Sequence, residues 1–208
     1  MSKTWERVFS AAYDPLLWVG ERAGMAKRRQ DLLAEASGRV LELGAGSGLN
    51  LPYYPEDLEE LTLTEPAAPM ISRLRRRARK SKRDCRVVVA PAEQLPFDDD
   101  SFDTVVSTLV LCTVDDPGPV IDEIARVLRP GGQLLFLEHV RAETSGLARW
   151  QDRLHRPWHA FAAGCHANRP TVELLRESRL RVEAVERDRW SWMPALVHPL
   201  AFGRAQAS

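Results

Sequence analysis

Long hydrophobic runs are missing from this 208-residue chain. No window approaches the roughly 18 consecutive apolar residues needed to span a bilayer, and the opening MSKTWERVFSAAYDP lacks the apolar core of a signal peptide. Cysteine is scarce as well. Cys85, Cys112 and Cys165 are odd in number, widely spaced and without a CxxC pair, so neither a disulfide framework nor a structural zinc site is indicated. Net charge is absent: 29 basic and 29 acidic side chains cancel, leaving no global field to draw the chain onto nucleic acid or an anionic membrane. No internal repeat or low-complexity linker breaks it into parts. With 44% hydrophobic and 28% charged residues, one globular domain with a sizeable core is expected. The expected compartment is the cytoplasm, while peripheral contact with a membrane surface stays open.

What the sequence does have is alternation. Val40–Leu43, Leu61–Thr64, Arg86–Val89, Thr104–Ser107 and Leu134–Leu137 are short, β-branched or leucine-rich runs bounded by turn residues. They read as buried parallel strands. Helical patterns lie between them, at Pro69–Lys80 and at Val120–Leu128, the latter stopped by Arg129–Gly132 (RPGG). Strand–helix alternation of this kind predicts a doubly wound α/β sheet. Arg181–Glu186 and Leu200–Ala205 flank a WSWMP loop and predict an antiparallel hairpin at the sheet edge.

The first strand runs into ELGAGSG, with glycines at 44, 46 and 48. Glycines here allow a tight turn and close approach of a ligand to the backbone. A dinucleotide site would need GxGxxG. Counting from Gly44 puts Leu49 at the third glycine, and counting from Gly46 puts Leu51 there. The register points instead to a nucleoside ligand without a pyrophosphate, and Glu42 stands ready for a cationic amine. Glu65, at the end of the second strand in TLTEP with Pro66 after it, reads either as a carboxylate for two ribose hydroxyls or as a solvated strand-end acid. Ala92 and Glu93 fall where an adenine edge would lie, or form a simple turn. Thr108 and Leu109 end the fourth strand.

Taken in order, VLELGAGSG, LTEP, APAEQLPFDDDSFDTVVS and EIARVLRPGGQLLFLEH resemble the class I S-adenosylmethionine-dependent methyltransferases. TLVLCTV, EHV, WQDRLHRPWH, GCHANRPT and the closing hairpin resemble the alkyl thiol S-methyltransferases and their bacterial relatives. The resemblance implies a Rossmann-like, mostly parallel seven-stranded sheet of order 3-2-1-4-5-7-6. It divides the chain into an N-terminal helical cap (1–37), a cofactor-binding core (38–139) and a substrate cap with the hairpin (140–208). It implies S-adenosylmethionine as cofactor, held by Tyr13, Glu42, Gly44, Ala45, Gly46, Glu65, Pro66, Ala92, Glu93, Thr108 and Leu109, and a small hydrophobic acceptor. The acceptor is expected to be a thiol, the alternative being a phospholipid amine, quinone precursor or small natural product. The chain departs from the animal enzymes in lacking their apolar N-terminal anchor and in carrying Glu65 where they usually have Asp.

Methyl transfer is an in-line displacement that needs an acceptor lone pair about 3–3.5 Å from the methyl carbon. A thiol of pKa about 8.5 is mostly protonated at neutral pH. His139, directly after the fifth strand, is the candidate catalytic group for generating or holding the thiolate; a histidine fixed by a loop hydrogen bond is the other reading. Trp150, Trp158, Cys165 and Trp192 are the expected walls of the acceptor pocket, with Cys112 and Cys165 as small buried hydrophobes rather than nucleophiles. His155 and His159 have helical ligand spacing but are read as lacking acidic or cysteine partners, so no metal is expected. The basic run RLRRRARKSKR (Arg73–Arg83) shares its segment with Met70, Ile71, Leu74 and Ala78. That reads as the solvated side of a sheet-packing helix, with an acidic membrane surface as the other reading, and no nucleic-acid partner is expected.

Overall fold

The computed structural model describes residues 18–81 and 83–207. Seven strands form one sheet: β1 (Arg39–Leu43), β2 (Glu60–Thr64), β3 (Arg86–Val88), β4 (Phe102–Thr108), β5 (Leu128–His139), β6 (Leu180–Arg189) and β7 (Pro199–Ala207). Their order is β3-β2-β1-β4-β5-β7-β6. The pairs from β3 to β5 are parallel, and β7 runs antiparallel to both β5 and β6. The Rossmann-like sheet with its antiparallel C-terminal hairpin is therefore as expected. Among the described residues no helix is long and apolar enough to cross a membrane.

The helices are α1 (Ala26–Leu33), α2 (Ala68–Ser81), α3 (Pro117–Val127), α4 (Ser145–Phe161) and α5 (Thr171–Arg176). Side chains alternate across a strand, so the sheet feeds two cores. Leu41, Leu43, Leu134 and Phe136 pack with Val120, Ile121 and Ile124 of α3 and with Val172 and Leu175 of α5. Val40, Leu63, Leu135 and Leu137 pack on the other face with Leu32 and Leu33 of α1 and Leu74 and Ala78 of α2. Both faces are covered, which is why these strands read as continuous apolar runs rather than alternating ones.

α2 buries Met70, Ile71, Leu74 and Ala78, as its apolar stripe predicts. Its basic side is partly put to use. Arg77 donates to the Ser47 carbonyl at 2.7 Å, and Arg83 just beyond donates to the Tyr54 and Pro55 carbonyls at 2.6 Å each. α3 starts at the Asp116 N-cap, whose side chain accepts from Gly118 N at 2.9 Å, with Pro117 at the first helical position.

One boundary differs from expectation. β5 starts at Leu128 rather than Leu134. RPGG does end the helix, but its residues form an irregularity inside the strand: Leu128 pairs with Phe102, and pairing resumes at Thr104–Gln133. Gly131, at φ +77°, supplies the turn.

Candidate active site

The carboxyl ends of β1, β2, β4 and β5 converge, as they do at ligand sites of open α/β sheets. The turn after β1 has Gly44 at φ +50° and Gly46 at φ +56°, a region that only glycine enters without strain. A Cβ on Gly44 would lie 2.9 Å from Val110 Cγ2, whereas one on Gly46 would meet only the Gly44 carbonyl, at 3.9 Å. Gly44 is thus pressed against the protein, and Gly46 faces open space suited to a ligand. Ala45 is buried, and its N–H donates to the Thr64 carbonyl at 2.8 Å, tying the turn to β2.

Glu42 is 3% exposed. Asn50 Nδ2 donates to its Oε1 at 2.9 Å and Tyr54 OH to its Oε2 at 2.8 Å. Arg29 Nη1 donates to Asn50 Oδ1 at 2.7 Å, and Arg29 also pairs with Glu21 at 3.1 Å. Burial pushes the Glu42 carboxyl up from 4.5 to about 7, against the opposing pull of the Tyr54 and Asn50 hydrogen bonds. A cation beside it would restore its charge. Sequence reasoning passed over Arg29, Asn50 and Tyr54.

Glu65 accepts from Gly46 N and from Ala67 N, both at 2.8 Å. It joins the two loops while retaining lone pairs on each oxygen for ligand hydroxyls. Burial raises its carboxyl, and the two backbone N–H groups act against that rise. Pro66 follows directly. Thr108 Oγ1 accepts from Asn50 Nδ2 at 3.1 Å, and Leu109 sits at φ +59°, turning the chain out of β4. This arrangement fits S-adenosylmethionine: a buried acid for its amine, a carboxylate for its ribose and an open glycine turn between them. Ala92 and Glu93 lie in the turn after β3; the Ala92 side chain packs into the core, while Glu93 is exposed. Tyr13 lies outside the described residues.

The loop after β4 is gripped from two sides. Glu138, fully buried, accepts from Ser107 Oγ at 2.7 Å, from Val110 N and Leu111 N at 3.1 Å each, and from Cys112 N at 3.0 Å. Arg169 donates to the carbonyls of Leu111, Val114 and Asp115 at 2.5, 2.6 and 3.1 Å. Gln151, 2% exposed, links α4 to three backbone segments around it. Its Nε2 donates to the carbonyls of Val140, Ala167 and Leu196, and its Oε1 accepts from Ala142 N.

His139 ends β5, 7% exposed and stacked on Trp190 with ring centroids 5.5 Å apart. Its Nδ1 lies 3.6 Å from Cys112 Sγ and 3.4 Å from Cys165 Sγ, and its buried Nε2 has no protein partner. Cys165 is the more acidic thiol, because the Cys112 contact lowers it while the same contact and burial push Cys112 up. Cys112, Cys165, Leu109, Trp158 and Met193 pack as one apolar cluster. Of the expected acceptor-pocket residues, Cys165 thus lies beside His139, and Trp158 packs in the cluster that contains Cys165. Trp150 and Trp192, also expected there, turn most of their surface to solvent, at 57% and 80% exposed. Trp190 is core, its indole N–H donating to the Gly20 carbonyl at 2.9 Å.

Comparison with known proteins agrees with this geometry. Residues 41–136 match the methyltransferase domain family. The chain is 37% identical to the human thiol S-methyltransferase TMT1B over 182 residues, 83% of this chain and 73% of that protein. It is 34% identical to human TMT1A over 197 residues, 87% of this chain and 79% of that protein. A solved methyltransferase from Thermotoga maritima shares the fold with a TM-score of 0.72 at 20% identity, covering 98% of this chain and all of that one. A buried acid and a glycine turn at β1, a carboxylate at the end of β2 bonded to that turn and a sheet of order 3-2-1-4-5-7-6 accord with that kinship: the chain belongs to the S-adenosylmethionine-dependent methyltransferases.

Proposed function

We propose that the enzyme methylates the sulfur of small, hydrophobic thiols. The observation that carries this is the apolar cluster beyond the end of β5, where Cys165 packs with Trp158 and Leu109 and its Sγ lies 3.4 Å from His139 Nδ1. The similarity to the thiol S-methyltransferases supports it, because at 182 residues it reaches well beyond the 41–136 domain into the acceptor cap.

When bound, S-adenosylmethionine supplies a methyl group on a positively charged sulfur. Glu42 holds its amine, Glu65 its ribose, the Gly44–Ala45–Gly46 turn and Pro66 its flanks, Ala92 and Glu93 its adenine, and Thr108 and Leu109 its methionine part. Residues 140–208 form the acceptor cap, with Trp150 and Trp192 at its rim. A free thiol is only about 3% ionised at pH 7, so His139 has the task of favouring the acceptor's thiolate. Exclusion of water by the apolar walls keeps that anion reactive and in line. The substrate is a small molecule rather than nucleic acid, consistent with the zero net charge. The cytoplasm suits three free cysteines.

The test is mass spectrometry of products after purified enzyme is incubated with S-adenosylmethionine and a panel of small thiols. Thioether products are expected. Failure to methylate sulfur anywhere in a varied panel removes the proposal, and an N-, O- or C-methylated product from a wider panel names the acceptor instead.

A further inference from the structure

Cys112, His139 and Cys165 come from the loop after β4, the tip of β5 and the turn after α4, yet their Sγ, Nδ1 and Sγ atoms all lie within 4.8 Å of one another. All three residues are buried. Both thiols address the same ring nitrogen. A neutral imidazole nitrogen offers one in-plane lone pair, so an S–H···N bond serves only one of them.

A tetrahedral metal ion serves both. Zinc bonds of about 2.3 Å to sulfur and about 2.0 Å to nitrogen, at tetrahedral angles, separate N from S by about 3.6 Å. The observed separations are 3.6 and 3.4 Å. Both nitrogen–sulfur separations are therefore those of a zinc site, and the two sulfurs lie within 4.8 Å of each other. The surroundings hold them there: Cys112 N donates to Glu138, His166 N donates to the Cys112 carbonyl at 2.7 Å, and Cys165 N donates to the Ala162 carbonyl at 3.1 Å. Two thiolates and an imidazole select a soft or borderline metal over magnesium or calcium. Three protein ligands rather than four is the pattern of zinc sites that keep a position for an exogenous group, and the two cysteines sit in a cluster with the apolar Leu109, Trp158 and Met193.

We propose that Cys112, His139 and Cys165 bind one zinc ion through two thiolates and Nδ1, and that the fourth position takes the sulfur of the acceptor thiol. The second half of this rests on the thiol S-methylation reading. Metal binding releases the two cysteine protons to solvent. An incoming thiol releases its own proton to solvent as its sulfur takes the fourth position. A lone pair on that sulfur then forms the new bond to the methyl carbon while the bond from that carbon to the sulfonium sulfur breaks. The electron pair stays on the departing sulfur, giving a neutral thioether on each side.

The experiment loads the full-length protein with one equivalent of cobalt(II) under reducing conditions. A thiolate-to-cobalt charge-transfer band and intense visible bands of a tetrahedral site are expected, displaced by one equivalent of zinc. Asp115, His159 and His166 form a second set with ligand atoms within 4.8 Å, but it holds no sulfur. The charge-transfer band therefore survives in H159A/H166A and disappears in C112A/C165A, with zinc affinity down by about 100-fold or more, since losing even an outer-shell partner costs 10- to 100-fold. S-adenosylmethionine binding by C112A/C165A reports that the variant is folded. X-ray absorption of the wild-type zinc protein needs no variant and should show two sulfurs near 2.3 Å. An absent charge-transfer band, its persistence in C112A/C165A, or an all-nitrogen/oxygen shell overturns the site. A small thiol should shift the visible bands; methylation of that thiol with no shift overturns its place on the metal. A sulfur-bound metal with no thiol methylated anywhere upholds the site and removes the S-methylation reading alone.

Discussion

Replacing Glu42 with Gln should stabilise the ligand-free protein at alkaline pH and not at acid pH. Burial lifts this carboxyl from 4.5 to about 7, so the folded chain keeps a proton that the unfolded chain releases. Where the native state binds more protons, stability falls as pH rises. The loss begins near pH 4.5 and is complete above about pH 7. A difference of about 2.5 pH units is worth about 3 kcal/mol at pH 8 and less than about 1 kcal/mol at pH 5. Glutamine carries no charge and keeps the acceptor for Asn50 Nδ2. Turning its amide toward Tyr54 OH costs about 1 kcal/mol, but equally at every pH. The quantity to read is therefore how the variant's advantage over wild type changes with pH. Urea unfolding of both proteins without cofactor at pH 5 and pH 8 should show that advantage growing by about 2–3 kcal/mol. An advantage that stays constant, or shrinks, between the two pH values refutes a carboxyl held protonated by burial.

The same group predicts cofactor linkage: if the bound cation ionises Glu42, calorimetric affinity for S-adenosylmethionine tightens about tenfold from pH 6 to pH 8, and Glu42→Gln abolishes the pH dependence. Glu65→Ala should weaken cofactor binding about 100-fold, the worth of two charge-assisted hydrogen bonds; a loss under about threefold in a folded variant would show that the ribose is held elsewhere. Glu138→Ala strands four buried donors, Ser107 Oγ and the backbone N–H groups of Val110, Leu111 and Cys112. It should cost about 3–5 kcal/mol in urea unfolding, and a cost below 1 kcal/mol would mean that relief of the buried charge outweighs them.

The sheet was legible because each strand is a short apolar run between turn residues, and the hairpin because Arg181–Glu186 and Leu200–Ala205 flank an aromatic loop. β5 was read short because Pro130 and the two glycines after it signal a turn, and only pairing with β4 shows that the strand begins before them. Glu42 and Glu65 were legible because strand ends precede the ligand edge. Their supporters were not. Tyr54 reaches Glu42 from just after a short 3₁₀ turn, and Arg29 supports it from a helix through Asn50, and no sequence spacing announces such a reach. Glu138 was overshadowed by its neighbour His139, since its role depends on a loop folding back over it. Cys112, His139 and Cys165 stand more than 25 residues apart in sequence, so no ligand-spacing motif existed to be read. The tryptophans misled in part because aromatic residues near a pocket sequence serve as wall, rim or core, and only burial separates Trp158, Trp192 and Trp190.

The position of β7 has a consequence for vectorial synthesis. It is the seventh strand along the chain yet lies between β5 and β6. As the polypeptide leaves the ribosome, β1 to β5 can assemble with the whole cofactor edge, but the outer edge of β5 from Gln133 to His139 has no partner until Pro199–Ala207 arrives. An apolar strand with unpaired N–H and C=O groups invites pairing with another chain. The nascent enzyme is thus most prone to aggregate just after its cofactor half is complete, and the strand that removes this hazard is the same one that clamps the tip carrying His139.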